Sequence, residues 1–132
     1  MDSAGGLIGK INGSSNTKIV NSYSTCSVYV ADDKSEKITG SAGGLVGKQR
    51  IGSASYENCY ATGLVNGDTG AYVGAFIGYS QSADTFKDCY FLKGINKDDL
   101  VSASTHANVR AIKAYSYIDC LLYTSDAADD KA

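Results

Sequence analysis

Four cysteines, Cys26, Cys59, Cys89 and Cys120, are the side chains best able to do chemistry in this chain. Thiols become metal ligands, redox partners or nucleophiles when they cluster or meet a base. No Cys-x-x-Cys pair occurs, and the single histidine, His106, stands apart from all four. Zinc ligation and a Ser-His-Asp relay both need partners that this spacing does not supply. Cys59 and Cys89 follow similar residues, Asn58 and Asp88, and each precedes a tyrosine. If they are equivalent positions on neighbouring strands, their Cα atoms lie about 4.8 Å apart, inside the disulfide range. Side chains in such a ladder run parallel instead of pointing at each other. Cys26, Cys59 and Cys89 are therefore expected to be free thiols that behave as small hydrophobes and react only after denaturation.

Two further patterns suggest sites and fail on spacing. Gly9-Lys10 and Gly47-Lys48 have the ending of a phosphate-binding loop. The glycine expected five residues earlier is Ala4 or Ala42, and neither lysine is followed by Ser or Thr. The paired carboxylates Asp32-Asp33 and Asp98-Asp99 lie in separate loops beside Lys34 and Lys97, where solvated charge is the simplest reading. Neither pair has the spaced oxygens of a calcium loop. The column Asn21, Asn58 and Asp88 offers stacked amides and a carboxylate at a corner, a structural ladder more than a site. No residue is assigned a catalytic, cofactor-binding or metal-binding role, and no cofactor is expected.

The elements behind these positions form a repeat. Gly5-Gly6-Leu7-Ile8-Gly9 returns as Gly43-Gly44-Leu45-Val46-Gly47 and as Gly74-Ala75-Phe76-Ile77-Gly78. A second block follows each one: Asn21-Ser22-Tyr23-Ser24-Thr25, Asn58-Cys59-Tyr60-Ala61-Thr62 and Asp88-Cys89-Tyr90-Phe91. Gly43 lies 38 residues after Gly5, and Gly74 lies 31 after Gly43. Most of the excess falls in the charged stretch from Ala31 to Lys37, as insertions do in repeat proteins that confine them to one loop. The apolar runs are too short for helices, and their flanking glycines permit tight corners and close backbone approach. In the second block, small residues ending in valine (Ser22, Ser24, Cys26, Val28; Cys59, Ala61, Gly63, Val65) alternate with Tyr23, Thr25, Tyr60 and Thr62. Small residues suit a narrow interior, so Tyr is expected outward, in a stacked ladder.

Composition agrees with many short strands. Among 132 residues there are 15 Gly, 10 Tyr, no Pro and no Trp, and the net charge is −2. Near-neutral charge gives no electrostatic case for nucleic acid. No run approaches the roughly 18 apolar residues of a membrane span. The opening residues do not read as a signal peptide. The first motif begins at Ala4, so the chain is expected to start inside a larger protein.

From Ala4 to Leu92 these blocks resemble the GLUG repeat of bacterial surface adhesin-like proteins and of some secreted immunoglobulin A peptidases. Ala42 to Lys48 and Asn58 to Gly63 carry the resemblance most fully. The third copy departs at Ala75-Phe76 and Asp88. The resemblance implies a secreted or surface-anchored protein, a parallel β-solenoid and no active site.

The expected fold is all-β, a right-handed parallel β-solenoid of about three coils with two main strands per repeat. Its repeats span 4–39, 42–68 and 71–95, with either one or two coils to each. A short helical cap is expected over 100–118, with Val109, Ile112 and Tyr115 on one face. Cys120 to Asp129 resembles the conceptual translation of a transposase adapter used in library preparation, so 120–132 is expected to be non-native. The expected function is a noncatalytic structural or adhesive segment at the cell surface. Its partners would be flanking repeats of the parent chain and a host or matrix glycan or protein that meets the Tyr, Ser and Thr ladders. The alternatives are an accessory region of a secreted peptidase and a carbohydrate-active β-helix.

Overall fold

A computed structural model describes residues 3–13, 16–31, 39–81, 84–96, 101–103 and 112–115. The first repeat holds five strands: β1 (Ser3–Gly5), β2 (Ile8–Asn12), β3 (Thr17–Val20), β4 (Tyr23–Ser24) and β5 (Val28–Val30). The second holds β6 (Ser41–Gly43), β7 (Val46–Ile51), β8 (Ala54–Glu57), β9 (Tyr60–Ala61) and β10 (Val65–Gly67). The third supplies β11 (Tyr72–Gly74), β12 (Ile77–Ser80), β13 (Thr85–Lys87) and β14 (Tyr90–Leu92), and β15 (Lys113–Tyr115) follows. The expectation of two main strands per repeat is too coarse. Each glycine block breaks into two strands around its Gly-Leu step, and β3, β8 and β13 have no shared sequence signature.

Among the described residues each repeat strand pairs with its counterpart in another repeat, β15 pairs with β14, and every pairing is parallel. Five sheets result, ordered β1-β6-β11, β2-β7-β12, β3-β8-β13, β4-β9-β14-β15 and β5-β10. This all-β arrangement of stacked parallel sheets is compatible with a β-solenoid. Register is kept by like residues: Gly5 faces Gly43 and Gly43 faces Gly74, while Tyr23 faces Tyr60 and Tyr60 faces Tyr90. The unequal repeat lengths fall between strands, chiefly between β5 and β6.

Period-two burial selects the inner face. In β8, Ala54 and Tyr56 are buried between half-exposed Ser55 and Glu57, and in β5 Val28 and Val30 flank exposed Tyr29. Leu45, Val46, Phe76 and Ile77 are fully enclosed with Tyr56, Cys59 and Cys89 in the main core. Val28, Val30, Ala42 and Val65 make a smaller one.

At Gly47 and Gly78 the motif glycines serve close approach and not turning. The positive-φ glycines are Gly52, Gly70 and Gly94, none of them in the repeated block. A Cβ on Gly47 would lie 2.5 Å from the Gly9 carbonyl oxygen, and one on Gly78 would lie 2.4 Å from that of Gly47. Neighbouring backbones therefore leave no room for a side chain there. The left-handed corners belong to Asn21, Asn58 and Asp88, with φ of 51°, 53° and 53°. Asn and Asp tolerate that region better than other side-chain-bearing residues.

The described parts of 100–118, residues 101–103 and 112–115, are not the expected helix. Lys113–Tyr115 is a strand, β15, laid parallel on β14. Its tie is a ladder bond from the Lys113 amide to the Cys89 carbonyl (2.9 Å). Residues 101–103 also bond to the third repeat. Phe76 and Ile77 donate to the Val101 carbonyl, as Leu45 and Val46 donate to that of Phe76. Residues 104–111 and the tail 120–132 lie outside the described residues. Among the described residues no helix is long and apolar enough to cross a membrane.

Candidate functional site

Some of the residues that the sequence singles out, the Asn21, Asn58 and Asp88 column with Cys59, Cys89 and the tyrosines after them, lie along one corner of the stack. There the left-handed column Asn21, Asn58 and Asp88 turns the chain into β4, β9 and β14. The Asn58 Nδ2 donates to Asn21 Oδ1 at 3.1 Å, which joins two repeats through their side chains. The next residue closes the same corner in each repeat. Ser22 Oγ donates to the Val20 carbonyl (2.9 Å), Cys59 Sγ to that of Glu57 (3.3 Å), and Cys89 Sγ to that of Lys87 (3.5 Å). Hydroxyl and thiol are interchangeable in this task, which makes it a structural one.

The tyrosines come next. Tyr23 and Tyr60 stack with ring centroids 4.8 Å apart and planes 8° from parallel, and both are exposed. Tyr90 lies beside Tyr60 in register and is half-buried, and it meets Tyr115 edge-on. Tyr23 and Tyr60 cover each other's facing sides, and with Thr25 and Thr62 nearby in the chain the row offers hydroxyls and exposed ring surface to a partner.

The cysteines divide. Cys59 and Cys89 are fully buried and free, and burial is the chief cause that pushes the Cys89 thiol up to about 11. Cys26 is free but exposed. The expectation that all three are shielded fails at Cys26 for a local reason. Its amide donates back to Ser24 Oγ (3.2 Å), a local turn that replaces ladder pairing at this residue, and a Cβ on Gly63 of the next repeat would strike its carbonyl oxygen.

The Gly-Lys lysines sit side by side, Lys10 facing Lys48 on β2 and β7. Lys48 Nζ lies 6.0 Å from the centroid of the Tyr79 ring, and that ring stacks on Tyr72 at 4.6 Å. Asp32, Asp33, Asp98, Asp99, His106 and Cys120 lie outside the described residues. Among the described residues no cluster of three or more His, Cys, Asp or Glu side chains is assembled.

Sequence reasoning missed a buried polar group at the β12–β13 corner. Asp84 is fully enclosed; its Oδ2 accepts from Ser80 Oγ (2.7 Å) and its Oδ1 from the Ala54 amide (2.9 Å). Gln49, equally buried, faces Ser80 in register and donates to the Gly52 carbonyl (2.8 Å). The Tyr56 hydroxyl is buried nearby with no hydrogen-bond partner among the described residues. Burial first, and the Asp84 charge second, hold its pKa far above the ordinary phenol value. Gln49 and Ser80 share a register position without sharing a residue type, so the repeat pattern gave no sign of them. On the outside of this corner, Thr17, Ser53, Ser55, Thr85 and Lys18 line an open cleft of about 360 Å³.

No family model, curated protein or solved structure matches this chain.

Proposed function

We propose that the chain is a noncatalytic repeat segment, a stiff spacer with an adhesive edge, from a secreted or cell-surface bacterial protein of the GLUG type. The observation that carries this reading is the coincidence of like residues in register. Glycine faces glycine, the Asn58 side-chain amide donates a hydrogen bond to Asn21, and tyrosine faces tyrosine from one repeat to the next. Residues that recur for the sake of their neighbours above and below are serving the stack. The finer architecture belongs to the same proposal: a right-handed solenoid, one coil per repeat, three coils and a shortened fourth. Residues 101–103 and 113–115 bond to the third coil where a fourth would. Right-handed winding is the usual sense for parallel crossovers.

The adhesive edge is the row Tyr23, Tyr60, Tyr90 and Tyr115 with its flanking threonines, turned toward a glycan or a matrix protein. Arrays of glycans and extracellular-matrix proteins, probed with the chain and with a Tyr23→Ser/Tyr60→Ser variant, test it. Binding that the variant loses while its melting temperature holds supports the proposal. Equal binding by the variant, or none by either, removes the adhesive role.

A further inference from the structure

The column of Gly9, Gly47 and Gly78 is explained in two of its three places. At Gly47 a Cβ would strike the Gly9 and Ala4 carbonyl oxygens (2.5 and 2.6 Å), and at Gly78 those of Gly47 and Ala42 (2.4 and 2.8 Å). In both cases the obstruction is backbone of the preceding layer. At Gly9 the nearest described atom is the Ser3 carbonyl oxygen at 3.4 Å, an ordinary contact, and φ is not in the left-handed region. Nothing described at Gly9 calls for glycine. Leu7 tells the same story: its counterparts Leu45 and Phe76 are fully buried, yet Leu7 is 47% exposed. At the asparagine corner the Asn58 side-chain amide donates back to Asn21 of the preceding layer, and Asn21 is the first residue of that column.

We propose that the outer face of β1–β5 is an interface for a further coil of the same repeat, joined ahead of β1 in the same polypeptide. The coil lies parallel and in register, with its backbone over Gly9, an apolar side chain over Leu7 and an acceptor for the Asn21 amide. The inference rests on the stacked-coil reading above and adds the partner of its open end. A second copy stacked head to tail fits poorly. The last described layer carries Val101, Ser102 and Lys113–Tyr115 where the matching Gly-Leu-x-Gly and Asn-x-Tyr residues would be needed.

The test is to place a duplicate of residues 41–71 directly before Ser3, which reproduces the link by which β10 runs into β11. The extended protein is expected to melt more than about 5 °C higher. Amides of β2 should exchange at least about tenfold more slowly. Gly9→Ala should leave the original chain within about 1 °C of wild type and reverse both gains in the extended one. An appended coil that alters neither melting nor exchange overturns the proposal, as does a Gly9→Ala loss of the same size with and without it. A concentration-dependent dimer of the original chain, abolished by Leu7→Asp, would assign the face to a second copy and overturn it too. Gly47→Ala separates the two levels. If that change is harmless, the stacked-coil reading itself fails.

Discussion

The Asp84 side chain receives the Ala54 amide at 2.9 Å, in the place where the preceding layer uses a backbone carbonyl, that of Ser53, to receive the equivalent Thr17 amide (2.9 Å). The same replacement occurs once more in the third repeat. Val28 donates to the Leu64 carbonyl (2.8 Å), whereas its counterpart Val65 donates to Asn96 Oδ1 (2.7 Å). Where the third repeat departs from the pattern, side-chain oxygens complete the ladder of the second. A buried amide without a partner is costly, and these two residues remove that cost.

Removing the Asp84 carboxylate should therefore be expensive. Asp84→Ala leaves the Ala54 amide and the Ser80 hydroxyl without this acceptor, and is expected to lower stability by about 2–4 kcal/mol. Asp84→Asn keeps one oxygen for the amide and should cost clearly less. Urea unfolding of both variants measures the difference.

Tyr56 predicts the opposite sign. Its buried hydroxyl has no partner among the described residues, so Tyr56→Phe keeps the ring packing on Phe86 and Phe76 and deletes only a desolvated group. The variant should be as stable as the parent or more stable by up to about 1 kcal/mol. A loss above that range in thermal melts would mean that the hydroxyl has a partner.

At the left-handed corner, Asn58→Ala should cost about 1–2 kcal/mol, since it places a Cβ residue without a helpful side chain at positive φ. Asn58→Gly should recover most of that and lack only the bond to Asn21. Chemical denaturation of the pair separates backbone strain from the lost hydrogen bond.

Thiol chemistry should follow burial. In the native protein Cys26 is expected to react promptly, and Cys59 and Cys89 only on unfolding. Because the folded Cys89 thiol titrates near 11 against 9.0 for its ordinary value, the unfolded chain loses that proton first as pH rises. Its contribution to stability is complete below about pH 9 and is lost progressively as pH rises through about 11. Tyr56 acts in the same direction. Denaturation midpoints measured from pH 8 to pH 11 should fall, and Cys89→Ser should flatten part of that fall.

Much of the stack was legible in residues that repeat because they meet their own copies. The two blocks located the Gly, Asn and Tyr columns and the outward face of Tyr23 and Tyr60. They also led to the burial of Cys59 and Cys89. Three features were not legible, each for a physical reason. The glycines were read as corners as well as close contacts, but asparagine and aspartate can hold left-handed φ, so the turning lay one block away. Asp84 and Asn96 act only where the pattern is broken, and a departure from a repeat shows no purpose in sequence. The stretch ending at Tyr115 has helical spacing of Val109, Ile112 and Tyr115, yet the exposed β14 edge takes up Lys113–Tyr115 as a strand. A tertiary ladder overrides local preference there.

The parallel register between repeats is the claim on which the rest depends, and solution NMR tests it most directly. Interstrand NOEs are expected to link Ser3, Ser41 and Tyr72 in one sheet and Tyr23, Tyr60, Tyr90 and Lys113 in another, with the pattern of parallel strands. Strong Hα–Hα NOEs between strands adjacent in sequence, as in antiparallel hairpins, would contradict it.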